Sequence, residues 1–173
     1  MKEFEVYDSA AQRFYDTLTI KSPPLASWDF YAMHFDTICN NYLDISLLKN
    51  IAKRNKWSAS QPFEDHLLND GLVIVVTDAQ LRIVHATHNI FSMTGYSPEE
   101  ILGKRPKIFQ GKDTCQKTSK RIGEAIKKRE PFEETILNYR KDGSTYNCRI
   151  LAEPIYNTSG DVINFIAYEK EVA

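Results

Sequence analysis

Apolar residues in the first part of this chain recur at three- and four-residue intervals, a spacing that predicts amphipathic helices. Asp8 or Ser9 can cap a first helix, which the Ser22–Pro24 run ends. A second helix is predicted from about Ser27, and Asp44 can cap a third helix. The third helix is expected to turn a small apolar group inward, consisting of Leu47, Leu48 and Ile51.

One face of the second predicted helix is rich in aromatic residues. Exposed to water, it would form an apolar patch larger than soluble monomers usually carry. It therefore packs either on the sheet of the same chain or on the same segment of a second subunit. We expect a homodimer that uses this face, and the interface residues are Trp28, Tyr31, Phe35, Ile38 and Tyr42.

From residue 70 onward the pattern changes to short β-branched runs that are typical of strands. Asp142-Gly143 is a strong hairpin signal between two of these runs. Helical signals fill residues 88–128, where Ser97-Pro98-Glu99-Glu100 spells a capping box with proline at the first helical position. The predicted strands cover approximately residues 72–77, 82–86, 133–140, 144–155 and 162–169. This order predicts an α+β fold with a single five-stranded antiparallel sheet and helices on one face.

Four segments in this part of the chain together resemble the PAS family, and within it the sensory-box and light-oxygen-voltage branch. They are the Thr77-Asp78 turn, the stretch Asn89–Gly111, the stretch Leu137–Ser144 and the closing strand near Val162–Glu169. The resemblance covers about residues 70–171. It implies a single PAS domain at residues 70–173, preceded by a helical N-terminal extension at residues 1–69.

The resemblance also implies positions for a flavin, and the chain departs from several of them. Pro106 stands where light-sensing relatives carry the reactive cysteine, so no thiolate is available there to form an adduct with the flavin. The phosphate-binding positions hold Lys107 and Gly123, and Phe132 stands where flavin-bound redox sensors tend to carry a tryptophan. The candidate pocket residues are Gln110 and Asn138, which match the flavin-contacting amides, and Cys148 and Glu169, which replace two others.

Two lost amides would leave polar groups of a flavin ring unpaired, and Glu169 would bring a buried negative charge toward it. We therefore expect no cofactor and a colourless protein, with FMN or FAD as the alternative. Haem is not expected, because haem-binding relatives use a histidine on the long helix and residues 114–128 contain none. His85 and His88 are interpreted as packing or surface residues.

Composition limits the other classes of function. Lys and Arg number 22 against 23 for Asp and Glu, so the net charge of −1 does not favour nucleic acid. Three cysteines without CxxC spacing argue against a disulfide framework and a zinc site, and in favour of a reducing cytoplasm. No apolar run reaches the length of a membrane span.

We find no catalytic motif in the sequence, and the capping and turn positions of the acidic residues explain them without catalysis. The sequence ends at Ala173, soon after the last predicted strand, so no output domain is expected. The chain is accordingly interpreted as a stand-alone PAS signalling module, not an enzyme, that acts by contact with itself and with an unidentified signalling protein. The alternative is a small-molecule or flavin-binding redox or light sensor.

Overall fold

The computed structural model describes the backbone of residues 25–172 and the side chains of residues 35–172. The helix predicted near Ser9 lies outside the described residues, as do the side chains of Trp28 and Tyr31. The sheet, its helices and the last part of the first described helix belong to one compact unit that begins at Cys39.

Helix α1 runs without interruption from Leu25 to Arg54. The prediction that Asp44 caps a separate helix is therefore wrong. No glycine or proline occurs between Leu25 and Arg54, so nothing in the backbone forces a break there. Asp44 lies inside the helix and is buried, and its carboxylate bonds to a distant part of the chain.

The rest of the chain forms a five-stranded antiparallel sheet with a helical connection between its second and third strands, as the sequence predicts. A π-helical turn, Asp65–Asn69, precedes the sheet. The strands are β1 (Val73–Asp78), β2 (Ile83–Ala86), β3 (Phe132–Tyr139), β4 (Thr145–Tyr156) and β5 (Val162–Val172). The connection consists of α2 (Ile90–Thr94), α3 (Pro98–Ile101), the 3-10 helix Pro106–Phe109 and α4 (Gln116–Lys128). The strand order is β2-β1-β5-β4-β3.

Local sequence signals explain how the helical connection turns. The capping box at the start of α3 forms as predicted, with the Ser97 backbone N–H donating to Glu100 Oε2 at 3.0 Å. Gly95 ends α2 with a positive φ of 74°, a conformation that glycine adopts without steric cost. These two features direct the chain from α2 into α3 within three residues.

Apolar side chains are buried on both faces of the sheet, because they alternate along the central strands. On β1, Val73 and Val75 face α2–α4, and Ile74 and Val76 face the opposite way. We call the first of these the inner face and the second the outer face. The outer face is covered by the segment that precedes the sheet, through Ile45, Leu48, Phe63 and Leu67.

The end of α1 faces the sheet with one side only. Leu48 is fully buried against the outer face. Leu47 is half exposed, so the prediction that it turns inward is wrong. Because successive helical residues point about 100° apart, the two leucines cannot both face the sheet.

Polar contacts also join the end of α1 to the sheet. The Asn164 amide of β5 is 2% exposed and accepts hydrogen bonds from Asn55 Nδ2 at 2.8 Å and Trp57 Nε1 at 2.9 Å. Its own Nδ2 donates to the Thr77 carbonyl of β1 at 2.9 Å. One buried side chain therefore links two strands with the segment that follows α1.

None of the helices in the described residues is long and apolar enough to span a membrane.

Candidate ligand-binding site

A cavity lies between the inner face of the sheet and the helical connection. Its empty volume, counted with its open mouth, is about 670 Å³. Pro106 and Phe109 of the 3-10 helix, Ile122 and Ile126 of α4, and Val75 of β1 form part of its wall. Most of the remaining wall is aliphatic or aromatic as well, so the interior excludes water from much of its surface.

Four polar side chains interrupt this apolar wall, and they are Thr77, Gln110, Asn138 and Glu169. Thr77 Oγ1 is buried and has no hydrogen-bond partner among the described residues. A buried hydroxyl without a partner is costly to the folded state. Gln110 is oriented by Ser119, whose Oγ donates to Gln110 Oε1 at 3.2 Å.

Glu169 is the ionisable residue in the cavity wall. It is 5% exposed, and burial raises the pKa of its carboxyl to about 7. The Cys148 thiol donates to Glu169 Oε2 at 3.6 Å, and burial raises the pKa of that thiol above its ordinary value. At neutral pH Glu169 therefore exists in both protonation states, and its neutral form offers one donor and one acceptor.

The structure brings three of the four predicted pocket residues together in this wall: Gln110, Asn138 and Glu169. Cys148 does not line the cavity and instead lies behind Glu169, to which it donates. Thr77 also lines the cavity, although the sequence predicts it only as the end of the first strand and the start of a turn. Side chains two residues apart on a strand point to the same face, so the position of Thr77 relative to Val75 predicts that both line the cavity.

Cysteines are absent from the cavity wall as far as the described residues show. Pro106 lines the cavity and begins the 3-10 helix. Cys115 and Cys39 are exposed, and Cys115 precedes α4 as its cap residue. No thiol of residues 35–172 is therefore placed to attack a ligand inside the cavity.

The two histidines considered in the sequence lie away from the cavity. Nδ1 of His88 is 2.8 Å from Asp44 Oδ2, and Nε2 of His85 is 3.5 Å from Asp44 Oδ1. Burial lowers the pKa of His85, although the nearby Asp44 charge opposes that effect. His88 therefore contributes to the attachment of α1, whereas His85 Nε2 has no hydrogen-bond partner among the described residues.

The predicted interface residues on α1 are only partly described. Phe35 is 64% exposed and Tyr42 is 62% exposed, and Ile38 is partly exposed. Tyr42 therefore does not cover the sheet of its own chain. Leu43 and Leu47 on the same helix are also exposed, so this part of α1 presents an apolar surface.

Comparison with known proteins gives consistent matches. A family profile described as a PAS domain matches residues 69–172. Phototropin-2 of Oryza sativa subsp. japonica is 37% identical over 117 residues, which cover 66% of this chain and 13% of that protein. Protein TWIN LOV 1 of Arabidopsis thaliana is 36% identical over 92 residues, which cover 53% of this chain and 23% of that protein. The chain thus spans less than a quarter of the length of either relative.

A solved light-oxygen-voltage domain, studied with a flavin analogue, shares the fold with a TM-score of 0.61. It is 26% identical in sequence, and the match covers 66% of this chain and 87% of that one. The comparison therefore spans nearly the whole neighbouring domain.

These comparisons overturn the prediction that the pocket takes no cofactor, since the relatives and neighbours are light-oxygen-voltage domains and one of them was studied with a flavin analogue. The prediction assumed that Glu169 would carry a buried negative charge. That charge is not permanent, because burial raises the pKa of Glu169 to about 7 and so makes a neutral carboxyl accessible as well. A neutral carboxyl also restores the donor and acceptor that the missing glutamine would supply.

The profile match covers more than half of the chain, and the similar proteins belong to one branch. The matched solved domain has the same fold as this chain. The chain is therefore a member of the PAS domain family, in its light-oxygen-voltage-like branch.

Proposed function

We propose that this PAS domain binds flavin mononucleotide in the inner-face cavity and senses its redox state without forming a cysteine adduct. The observation that supports it most is the apolar cavity itself, whose wall carries the polar side chains Gln110, Asn138 and Glu169. An apolar cavity with a few polar side chains favours binding of a flat apolar ligand that carries polar groups at its edge. The likeness to flavin-related light-oxygen-voltage structures supports the same ligand.

The side chains present fit a flavin ring. Its apolar part would pack between Ile122 and Ile126 of α4 and the β-sheet. Its polar edge needs donors and acceptors, which Gln110, Asn138 and neutral Glu169 can supply.

Glu169 and Pro106 in the cavity wall determine which reactions a bound flavin could undergo. A bound flavin supplies electron exchange that is coupled to proton uptake. Glu169 can hold or release a proton at its carboxyl near neutral pH, and the Cys148 thiol donates to the carboxylate form. Pro106 excludes a nucleophile from the position where light-sensing relatives carry one, so the domain responds through proton and hydrogen-bond changes at Glu169.

The signal would leave through the outer face. Along β5, Glu169 faces the cavity and the adjacent Tyr168 faces the segment that precedes the sheet. The Tyr168 hydroxyl donates to Gln61 Oε1 at 3.1 Å, and its ring lies 4.4 Å from the His66 ring. A change in the hydrogen bonding of Glu169 would therefore change the fraction of molecules in which this segment is docked on the outer face.

The output of the domain would be a protein–protein contact. The exposed apolar residues of α1, including Phe35, Tyr42 and Leu43, favour a homodimer through this helix, with an unidentified signalling protein as the next partner. On this proposal, residues 70–173 are the sensor domain and residues 1–69 the helical extension that transmits its state. The domain is not an enzyme in itself.

Titration of the intact chain with FMN tests the ligand. We expect one bound FMN per chain, measured by quenching of flavin fluorescence and by the blue absorption band of oxidised flavin. Asn138→Ala should weaken binding by about tenfold, the cost of one lost buried hydrogen bond. Thr145→Val, an exposed change at the start of β4, is the matched control.

The outcomes separate the parts of the proposal. Absence of binding at saturating FMN contradicts the ligand. A reversible loss of the blue band on illumination without any reductant contradicts the redox mechanism, because it is the signature of an adduct. Far-UV circular dichroism of Asn138→Ala checks that a loss of binding is not a loss of fold.

A further inference from the structure

A buried carboxylate lies between two histidines at the place where α1 meets the sheet. Asp44 of α1 is 6% exposed, and His85 Nε2 of β2 lies 3.5 Å from its Oδ1. His88, which follows β2, bonds to Asp44 Oδ2 through both its backbone N–H and its ring Nδ1. We call these three residues the Asp44 cluster. Because Asp44 lies 44 residues before His88, the cluster exists only while the end of α1 is docked on the sheet.

The two histidines of the cluster have different environments. The His88 side chain is partly exposed and is hydrogen-bonded to Asp44. His85 is buried, and its Nε2 has no hydrogen-bond partner among the described residues. A buried polar atom without a partner is unusual in a folded protein and needs an explanation. His85 thus adds an ionisable group to the docked site without adding a hydrogen bond from Nε2 that would hold α1 there.

The neighbours of His85 determine which protonation state the docked site accepts. The charge that acts on its ring is that of Asp44 from α1, and His88 binds the same carboxylate. On the other side, β1 pairs the apolar Val76 with His85. Burial disfavours the imidazolium form more than the Asp44 charge favours it, so the pKa of His85 is lowered. The docked protein therefore keeps His85 neutral.

We propose that the Asp44 cluster is a pH-sensitive switch, in which protonation of His85 releases the end of α1 from the outer face of the sheet. A protonated His85 would be a buried cation, and undocking of α1 exposes it to water, where a cation is well solvated. The same movement breaks the two bonds between His88 and Asp44, which hold α1 in place at neutral pH. The switch needs no ligand, so it is independent of the proposed function.

The direction of the pH effect follows from the two states of His85. In the released state its ring has the ordinary pKa of 6.5, and in the docked state the pKa is lower. Below pH 6.5 the released state therefore binds more protons, so docking is fully favoured above that pH and weakens as the pH falls through it. At pH 5.5 an exposed histidine is about ten parts protonated to one part neutral, so acidification from pH 7.5 weakens docking by at most about tenfold.

A purely structural explanation treats His85 as a packing residue of the outer face. It predicts that acidification leaves the docking of α1 unchanged, so the two explanations differ in a measurable quantity. The measurement has to be local to α1. Glu169 changes the overall stability in the opposite direction, because the raised pKa of its carboxyl favours the folded state at low pH.

Amide hydrogen exchange of the intact chain, followed by mass spectrometry at pH 7.5 and pH 5.5, provides this local measurement. Rates are corrected for the intrinsic pH dependence of exchange, and residues 39–54 of α1 are compared with β4. We expect the protection of residues 39–54 relative to β4 to fall several-fold at pH 5.5, and by no more than about tenfold. His85→Gln should abolish this fall, because glutamine does not titrate. His66→Gln is the matched control, since His66 is paired with Asp70 and lies outside the cluster.

Unchanged or increased protection of residues 39–54 at pH 5.5 overturns the switch. A fall that persists in His85→Gln, or that His88→Gln alone removes, overturns it as well. If His85→Gln does not fold, proton NMR titration of the His85 ring in the parent chain decides the matter. A midpoint below 6.5 supports the switch, and a midpoint at or above 6.5 overturns it. No flavin is present in these measurements, so either result leaves the proposed function as it stands.

Discussion

His88 is held by Asp44 through two of its nitrogens. Its backbone N–H donates to Asp44 Oδ2 at 2.8 Å, and its ring Nδ1 lies 2.8 Å from the same oxygen. Asp44 belongs to α1 and His88 follows β2, so this one carboxylate fixes the helix to the sheet edge. Because the carboxylate is 6% exposed, water can hardly replace it.

Asp44→Ala should therefore lower the free energy of unfolding by about 1–3 kcal/mol, since it leaves the partly buried His88 N–H without its acceptor. Urea unfolding followed by circular dichroism measures the change. Glu124→Ala, an exposed substitution on α4, serves as the control. A loss no larger than that of the control would show that the contact contributes nothing to the fold.

Glu169→Gln should change the pH dependence of stability. The unfolded carboxyl loses its proton above its ordinary pKa of 4.5, and the folded one retains it up to about 7. Between these values the folded state binds more protons, so stability decreases as pH rises from about 4.5 to about 7 and is level above that. The shift corresponds to roughly 3 kcal/mol at most.

Urea unfolding of both proteins at pH 5 and pH 8 measures this effect. The advantage of Glu169→Gln over the parent chain should be larger at pH 8 than at pH 5. The control Glu124→Gln should show no such difference, because that residue is exposed. An equal advantage at both pH values would mean that Glu169 keeps an ordinary pKa in the folded protein.

Ile166→Ala should destabilise the domain by about 2–5 kcal/mol through lost burial and the cavity left behind. Ile166 is fully buried in the outer-face cluster, against residues that include Leu48 and Ile74. Val84→Ala on β2 provides the comparison, since Val84 is 40% exposed. A loss below about 1 kcal/mol for Ile166→Ala would be inconsistent with its position in the core.

The intact chain should be a homodimer at tens of micromolar, as measured by light scattering. Replacing Phe35 and Tyr42 together by glutamate should yield a monomer, because charges would enter an apolar contact. Phe91→Glu is the matched control, since Phe91 is an equally exposed aromatic residue on α2. A monomeric parent chain, or a dimer that survives both substitutions, contradicts the role given to α1.

Local patterns in the sequence are sufficient to predict the positions of most strands of the sheet. The short β-branched runs and the Asp142-Gly143 turn predict β1 to β4 to within a residue or two. The capping box at Ser97 was equally local and is confirmed. Each of these signals depends on neighbours in the chain, which a sequence displays directly.

The features that sequence reasoning missed depend on residues far apart in the chain. Asp44 is a good capping residue by type, and only its bond to His88 explains why it lies inside a continuous helix. Glu169 is predicted from the sequence as a buried charge, but the rise of its pKa and its contact with Cys148 depend on tertiary packing. Thr77 is predicted at the end of the first strand, but its place in the cavity wall depends on the packing of the helical connection over the sheet.

The position of β5 has a consequence for how the protein is made. β5 is the last strand of the sheet in sequence order, yet it lies at the centre of the sheet, where Tyr168 pairs with Ile74 on one side and Leu151 on the other. During synthesis the β1–β2 and β3–β4 hairpins can form early, but they remain unjoined until β5 has left the ribosome. A nascent chain halted before residue 162 therefore exposes two unpaired strand edges, which makes it a substrate for chaperones and proteases.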